Sequence, residues 1–550
     1  MTYPRSEPKA CGADAELGNF ILGVERPGGT GPEAARALLR EIDGVPNRGR
    51  FTPAPAYVLP YYDEAAASHA SWSGSVGYDP QDWGRKFLAT NGGCAYIDLH
   101  HLELASPEVR SAFDFVASWH AMLRIARGAL DAANTQLPEG QRLQVLVNNS
   151  DGRSHSYGGH VNFLLARDTW EAIFSRRLHY LVFLASFQAS SIVITGQGKV
   201  GSENGAPAVN YQIAQRADFF ETLMGEQTTE RRPIVNSRDE DLCGTLPNLA
   251  RLHCIFFDST LCHVATALKV GLMQIVLSMI EAGRVRLDLL LDDPVAAVRC
   301  WSHDPNLRAR APLLSGNMVT AVELQQWFFD DAQRFVAAGG CTDIVPHAEA
   351  IIELWGDTLD KLTQGNLAAL APRLDWVLKR QLLERALEQR PHLTWSSPAV
   401  KHLDHLYSSL DEVEGLYWAC DRNGLVERLV DDARVEHFVH NPPNDTRAWT
   451  RAKLLACVPA EAVESVDWDA VTVRLRGPGG AAVWRVDLSN PIAGGEAEAA
   501  AHFAAADDLR DLLRRLGARI VPPQAATGTP SGRVIHGLPI PVRIDRNHYQ

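Results

Sequence analysis

Asn91–Glu108, NGGCAYIDLHHLELASPE, constrains this chain more than any other stretch. It opens on Asn91-Gly92-Gly93, where glycine tolerates the positive φ of a tight turn. Cys94–Leu99 reads as an extended run. Alternation then sends Tyr96 and Asp98 to one face and Ile97 and Leu99 to the other. His100, His101 and Glu103 follow. Ser106-Pro107-Glu108 predicts a helix start, with Pro near the first turn and helix over about 107–133. A strand carboxylate with a second one five residues on suits metal or acid/base chemistry. A half-solvated sheet edge followed by a helix cap is the plainer account of the same residues.

A chain of 550 residues exceeds one simple core, so a large domain plus a smaller one is expected. The formal charge is −13, from 53 basic and 66 acidic residues, which argues against general nucleic-acid binding. Nine cysteines, an odd number without CxxC pairs, argue against a disulfide framework or a structural zinc site. The opening MTYPRSEPKACGADAE has no apolar signal core. The longest apolar stretch, Val270–Ile280, is interrupted by Gln274 and Ser278 and is too short to span a bilayer. The expectation is a cytoplasmic protein with reduced thiols and no membrane partner.

Residues 1–10 read as a loose tail. Gly12–Gly18 reads as a short strand that places Asp14 and Glu16 on one face. Two adjacent carboxylates repel unless a cation or proton lies between them. Pro32–Ile42 predicts a helix. Residues 44–90, rich in Gly, Pro, Ser and aromatics, read as a long loop insertion. Gln144–Asn148 predicts a strand entering a polar, Gly-rich connector through Gly159. There backbone N–H groups, Ser154 and Arg153 suit a phosphate; a hairpin loop is the plainer reading. His160 and Asn162 share one strand face. Ile192–Val200 reads as strand, turn, strand, and Asp218–Gly225 as helix. Arg231, Arg232 and Arg238 flank acids, as structural ion pairs or as forks for phosphate or carboxylate. Arg251-Leu252-His253 lies on an apolar strand. A helix is expected from Leu261 to a Gly283 cap. Amphipathic helices are expected over 320–440, including Ala368–Gln389 and Leu403–Leu410. The last segment predicts a helix near 448–457, strands near 468–475 and 482–488, and a helix Ala497–Leu516. A Pro- and Gly-rich tail follows.

Taken in order, these stretches resemble the pupylation enzymes, relatives of glutamine synthetase. That family comprises the Pup ligase PafA and the Pup deamidase/depupylase Dop. GADAELG (Gly12–Gly18) is similar to the family's opening Gly-Ile-Glu-Thr-Glu-aromatic-Gly. NGGCAYID, HLEL and SPE match its NGARxYVD, HPEY and TPE. NNSDGRSHSYGGHVNF (Asn148–Phe163), the QRADF block from Gln215 to Glu221, RRPIVNSRDED (Arg231–Asp241), Ala250–His253, Leu268–Gly271 and Pro442–Arg451 also match. The long Glu16–Asp98 interval and the Asp98–Glu103 spacing resemble the deamidase branch. Four residues depart from the pattern. Asp14 and Val161 each stand where the family has Glu, Leu102 where it has Pro, and Arg153 where it has Lys.

The resemblance implies an α+β fold, a glutamine synthetase-like curved antiparallel sheet backed by helices. It implies a large catalytic domain over 1–445 and a small C-terminal α/β domain with a tail over 446–550. Asp14, Glu16 and Glu103, with His160, would hold Mg²⁺, and Asp98 would be the catalytic carboxylate. Arg153, Ser154, Asn162, Arg232, Arg238 and Arg251 would contact phosphates or substrate. Asp98 and Glu103 would face opposite ways on one regular strand, so this assignment requires a bulge or strand end between them. The first expectation is a Mg²⁺-dependent depupylase-like phosphatase acting on ATP, ADP or phosphoesters. The alternatives are a true Pup deamidase/depupylase with ATP and phosphate as cofactors, a carboxylate-amine ligase, and a non-catalytic nucleotide-binding protein. Expected partners are a nucleotide or phosphorylated small molecule, and a Pup-like protein or pupylated proteins.

Overall fold

The structure, a computed structural model, describes residues 6–25, 29–47, 83–228, 231–240, 242–243, 246–477 and 480–521. The first five residues, most of the 44–90 insertion and the Pro- and Gly-rich C-terminal tail lie outside the described residues.

Eight strands form the main sheet. They are β1 (Cys11–Leu22), β2 (Val45–Pro46), β3 (Trp83–Phe87), β4 (Cys94–Asp98), β5 (His101–Ala105), β6 (Arg142–Leu146), β7 (Gly159–Ala166) and β8 (Leu249–Cys254). Their order is β8-β7-β1-β5-β4-β3-β2, with β6 on the far half of the long β1. Every pairing is antiparallel. Alternation divides the faces. Ala13, Ala15, Leu17, Ile97, Leu102, Leu104, Val161, Phe163 and Leu252 enter one large apolar core. Helices α1 (Gly31–Arg40), α2 (Ala112–Asn134), α3 (Leu178–Thr195) and α4 (His263–Glu281) contribute to the same core. Both α3 and α4 are long and apolar enough to cross a membrane, but they are core helices: α4 is buried along the whole window and α3 along most of it. Together these layers make an α+β fold.

The opposite sheet face carries the polar residues, and at its β2–β5 end it meets a second core. There Val45, Phe87, Cys94, Tyr96 and Ala105 pack with Val471, Val473, Trp484 and Leu513. The latter belong to a four-stranded sheet, β9 (Val463–Val466), β10 (Ala470–Gly477), β11 (Gly480–Asp487) and β12 (Arg519–Val521), and its helices.

Several local expectations are corrected. The helix near Pro107 begins only at Ala112, capped by the Ser111 side chain. Val109 is held extended by reciprocal backbone bonds with Cys11, at 2.8 and 2.9 Å. Ile192–Thr195 is the last turn of α3, not a strand. A helix apolar on every side carries no period to distinguish it from a buried strand. Asp218–Gly225 is a 3-10 turn, Ala217–Phe219, followed by the extended Thr222–Gly225 paired with Pro233–Asn236. The Asp218 carboxylate is taken by Glu203 N–H, Gln212 and His303 rather than by a helix start. Pro372 lies between Leu367–Leu370 and Asp375–Gln389, where one helix was expected. Asp508 caps a second helix, Leu509–Arg515, inside the stretch expected to be continuous. Residues 6–10 are not loose: Lys9 is buried and pairs with Glu281 at 2.6 Å.

Candidate active site

The polar sheet face brings the expected carboxylates together through its register. Glu16 lies opposite Glu103, Asp14 opposite His160, Tyr96 opposite Glu103 and His253 opposite Asn162. The β4 strand ends at Asp98, and the chain turns back at Leu99-His100 to pair Asp98 with His101. That strand end puts Asp98 and Glu103 on one face, as the metal assignment required. Ligand atoms of Asp14, Glu103 and His160 lie within 4.8 Å of one another, as do those of Glu16, Asp98 and Glu103. All of them line one cleft of about 370 Å³, with Tyr96, Asn162, Arg238, Arg251 and His253.

The cluster is strained electrostatically. Burial, then the charges of Glu16, Asp98 and Asp14, push the Glu103 pKa well above the carboxylate range; the Tyr96 hydroxyl, donating at 2.6 Å, opposes this only partly. Burial also raises Asp14, against Asn162 and Arg251. Burial lowers His160 to about 4 and carries His253 well below its usual value, so both are neutral imidazoles near pH 7. Asn162 ties the face together. Its amide donates to Asp14 at 2.8 Å, and its oxygen accepts from Arg251 at 3.0 Å and faces His253 Nδ1 at 2.8 Å. The Gly158 N–H donates to Glu16 at 2.8 Å. A Cβ at Gly158 would collide with the His160 ring.

Convergent carboxylate oxygens with one neutral imidazole fit a hard divalent cation such as Mg²⁺. In the metal-free protein, Glu103→Gln replaces the ionisable carboxyl crowded by Glu16, Asp98 and Asp14 and keeps an acceptor for Tyr96. It is expected to raise metal-free stability at neutral pH, because a carboxyl buried beside Glu16, Asp98 and Asp14 carries a free-energy cost that Gln does not. The same variant is expected to abolish stabilisation by added Mg²⁺. Thermal melts with and without Mg²⁺ check both, and an unchanged Mg²⁺ response would remove Glu103 from the metal site.

Positive charge gathers on the other side. Arg251 reaches from β8 to Asn162 and Glu240, and Arg238 lines the cleft. Arg216, which sequence reasoning missed, is buried, and its Nε and Nη1 have no hydrogen-bond partner among the described residues. It interacts electrostatically with Glu16 and Asp258. A buried guanidinium with vacant donors is a site for an anion. His253 was also missed, although the alternation Arg251-Leu252-His253 placed it on the face of Arg251. Arg232 is buried behind the cleft and donates to the carbonyls of Thr228 and Ser156, both at 2.8 Å. Arg153 and Ser154 do not line the cleft. The N–H donors expected to cradle phosphate are already taken: Arg153 N by Asp151 at 2.7 Å and Ser154 N by Glu203 at 3.0 Å.

The antiparallel sheet thus gathers acidic residues on its polar face with arginines beside them, side chains whose chemistry suits a cation and an anion. The Pup-ligase protein family model matches residues 54–472, and the chain belongs to that family. Within it the chain is of the depupylase branch. It is 36% identical to the depupylase of Acidothermus cellulolyticus over 411 residues, 74% of this chain and 78% of that protein. It is 35% identical to the Pup deamidase/depupylase of Mycolicibacterium smegmatis over 430 residues, 78% of this chain and 83% of that protein. Among solved structures, the complex of Pup with its ligase PafA matches with a TM-score of 0.71 at 23% identity, over 93% of this chain and 92% of that one. PafA in complex with ADP matches with a TM-score of 0.66 at 25% identity, over 85% and 97%. The fold is therefore the glutamine synthetase-like one expected. The relatives' names back the amide-cleaving alternative over the phosphatase reading placed first from sequence.

Proposed function

We propose that this protein is a Mg²⁺-dependent depupylase, cleaving the amide that joins a Pup-like protein to its target, with a nucleotide or phosphate in the site. The observation that carries this is Asp98 at the end of β4, beside an acidic cluster in a cleft that Arg238 and Arg251 also line, with the buried Arg216 interacting electrostatically with Glu16. The relatives named as depupylases supply the substrate class. Asp14, Glu16, Glu103 and His160 would hold the cation, which when bound offsets their charge and polarises oxygens in the cleft. Asp98 starts the reaction, by adding to the amide carbonyl or by taking a proton from the water that does so. Arg216, Arg238 and Arg251 hold the phosphate or the carboxylate of the Pup segment.

The test uses purified protein, Mg²⁺, ATP and a Pup-conjugated test protein, with Asp98→Asn as control. Release of free target by the wild type alone is expected. Phosphate release from ATP without cleavage of the conjugate would overturn the proposal in favour of a phosphatase. Attachment of free Pup to a target would overturn it in favour of a ligase.

A further inference from the structure

Two groups the proposed chemistry depends on sit on backbone that no helix or strand holds. Residues 213–216, which carry Arg216, and residues 255–260 are irregular. The Gly158 N–H, which holds Glu16, ends the loop from Asn149. Irregular backbone is located only by side-chain and turn bonds, so those bonds decide where Arg216 lies and where the Gly158 N–H that orients the Glu16 carboxylate lies.

We propose that Asp258-Ser259 is the positioning pivot of the site, setting Arg216 through Asp258 and orienting the carboxylate of the strand-held Glu16 through Ser259, Asn149 and the Gly158 N–H. This rests on the anion role given to Arg216 above. The Asp258 carboxylate accepts from Gln197 N and from Gln215 N, each at 2.8 Å. Gln215 immediately precedes Arg216, and Asp258 is also a charge that Arg216 feels. Ser259 acts on the other arm. Its N–H donates to Asn149 Oδ1 at 2.7 Å, and its hydroxyl accepts from Asn149 Nδ2 at 3.1 Å. Asn149 Nδ2 also donates to the Tyr157 carbonyl at 3.1 Å, and Tyr157 N returns a bond to Asn149 O at 3.3 Å. The next residue is Gly158. Its N–H meets Glu16 Oε2, and its carbonyl accepts Glu16 N at 3.1 Å. Asn149, Gln215, Asp258 and Ser259 are all buried, so water cannot substitute for a lost partner.

A polar knot that merely held the core together would, when cut, weaken every ligand at once. A pivot with two arms fails one arm at a time. The full-length protein is titrated with inorganic phosphate and, separately, with Mg²⁺, by calorimetry. Asp258→Ala is expected to weaken phosphate binding about tenfold or more and to leave Mg²⁺ binding within about twofold. Asn149→Ala is expected to do the reverse. Asp258→Asn, which keeps an acceptor oxygen, is expected to recover most of the phosphate affinity lost in the Ala variant. Circular dichroism confirms that each variant is folded, and if one Ala variant is not, Asp258→Ser and Asn149→Ser, whose shorter side chains do not reach the same partners, take its place. Joint loss of both ligands in both variants, or no loss in either, would overturn the pivot. Arg216→Met separates the two levels of the argument. If that variant binds phosphate as the wild type does, the anion role of Arg216 falls and the inference falls with it. If it loses phosphate while the pivot variants do not split, the inference alone falls.

Discussion

Replacing Asp98 by Asn is expected to cut turnover by ~10²-fold or more while Mg²⁺ and nucleotide still bind. Asn keeps the volume and one acceptor oxygen but neither adds to a carbonyl nor takes a proton. Both kcat and kcat/KM should therefore fall together, the sign of an interaction needed in the transition state rather than for binding. The substitution has a second, independent consequence. Asp98 is one of the charges that push up Glu103, so its neutralisation relieves the cluster. The variant should be at least as stable without metal as the wild type. A dead but stable protein with intact ligand binding is the expected result in single-turnover assays and melts. Retained turnover would remove Asp98 from the mechanism, and loss of activity with loss of folding would leave it a structural residue.

The acidic half of the site was legible because strand periodicity is local. Asp14 and Glu16 stand two apart on β1, and His160 and Asn162 two apart on β7, so each pair shares a face from sequence alone. The need for a strand end after Asp98 followed from the same rule and is what the hairpin supplies. The cationic half was less legible. Arg216 is carried on irregular backbone whose place is set by Asp258 and Ser302, far along the chain. No spacing announces such an arrangement. The Gly-rich connector misled in the opposite direction. Its composition suggested free N–H donors, but Asp151 and Glu203 accept from those of Arg153 and Ser154. The fold followed the same division. Amphipathic α1 and the paired strands were readable, whereas the uniformly apolar α3 was not, because burial on all sides erases its period.

Breaking the Glu108 cluster is expected to give the largest loss of stability. Glu108 accepts from Arg447 Nε at 2.7 Å and from Arg451 Nη2 at 2.6 Å, and Arg451 is fully buried. Both arginines lie on a helix, Arg447–Cys457, that also reaches the second core through Leu454 and Leu455. Arg451 donates further to Gly92 O, in the turn before β4, at 2.9 Å. Burial alone would raise the pKa of Glu108, but Arg451 and Arg447 outweigh it and hold the carboxyl down to about 2. Its folded pKa thus lies below the unfolded value, so the ion cluster stabilises fully above about pH 4.5 and loses its contribution as pH falls toward 2. Glu108→Ala leaves two buried guanidiniums without their carboxylate and is expected to cost about 3–5 kcal/mol at pH 7. Glu108→Gln, which keeps acceptor shape, should cost less. Urea unfolding across pH checks the sign: the gap between wild type and Glu108→Gln should be widest near neutrality and narrow below about pH 4.5. A gap that stays constant with pH would mean that the charge of Glu108 contributes nothing, and that the shape of the contact alone binds this helix to the turn before β4.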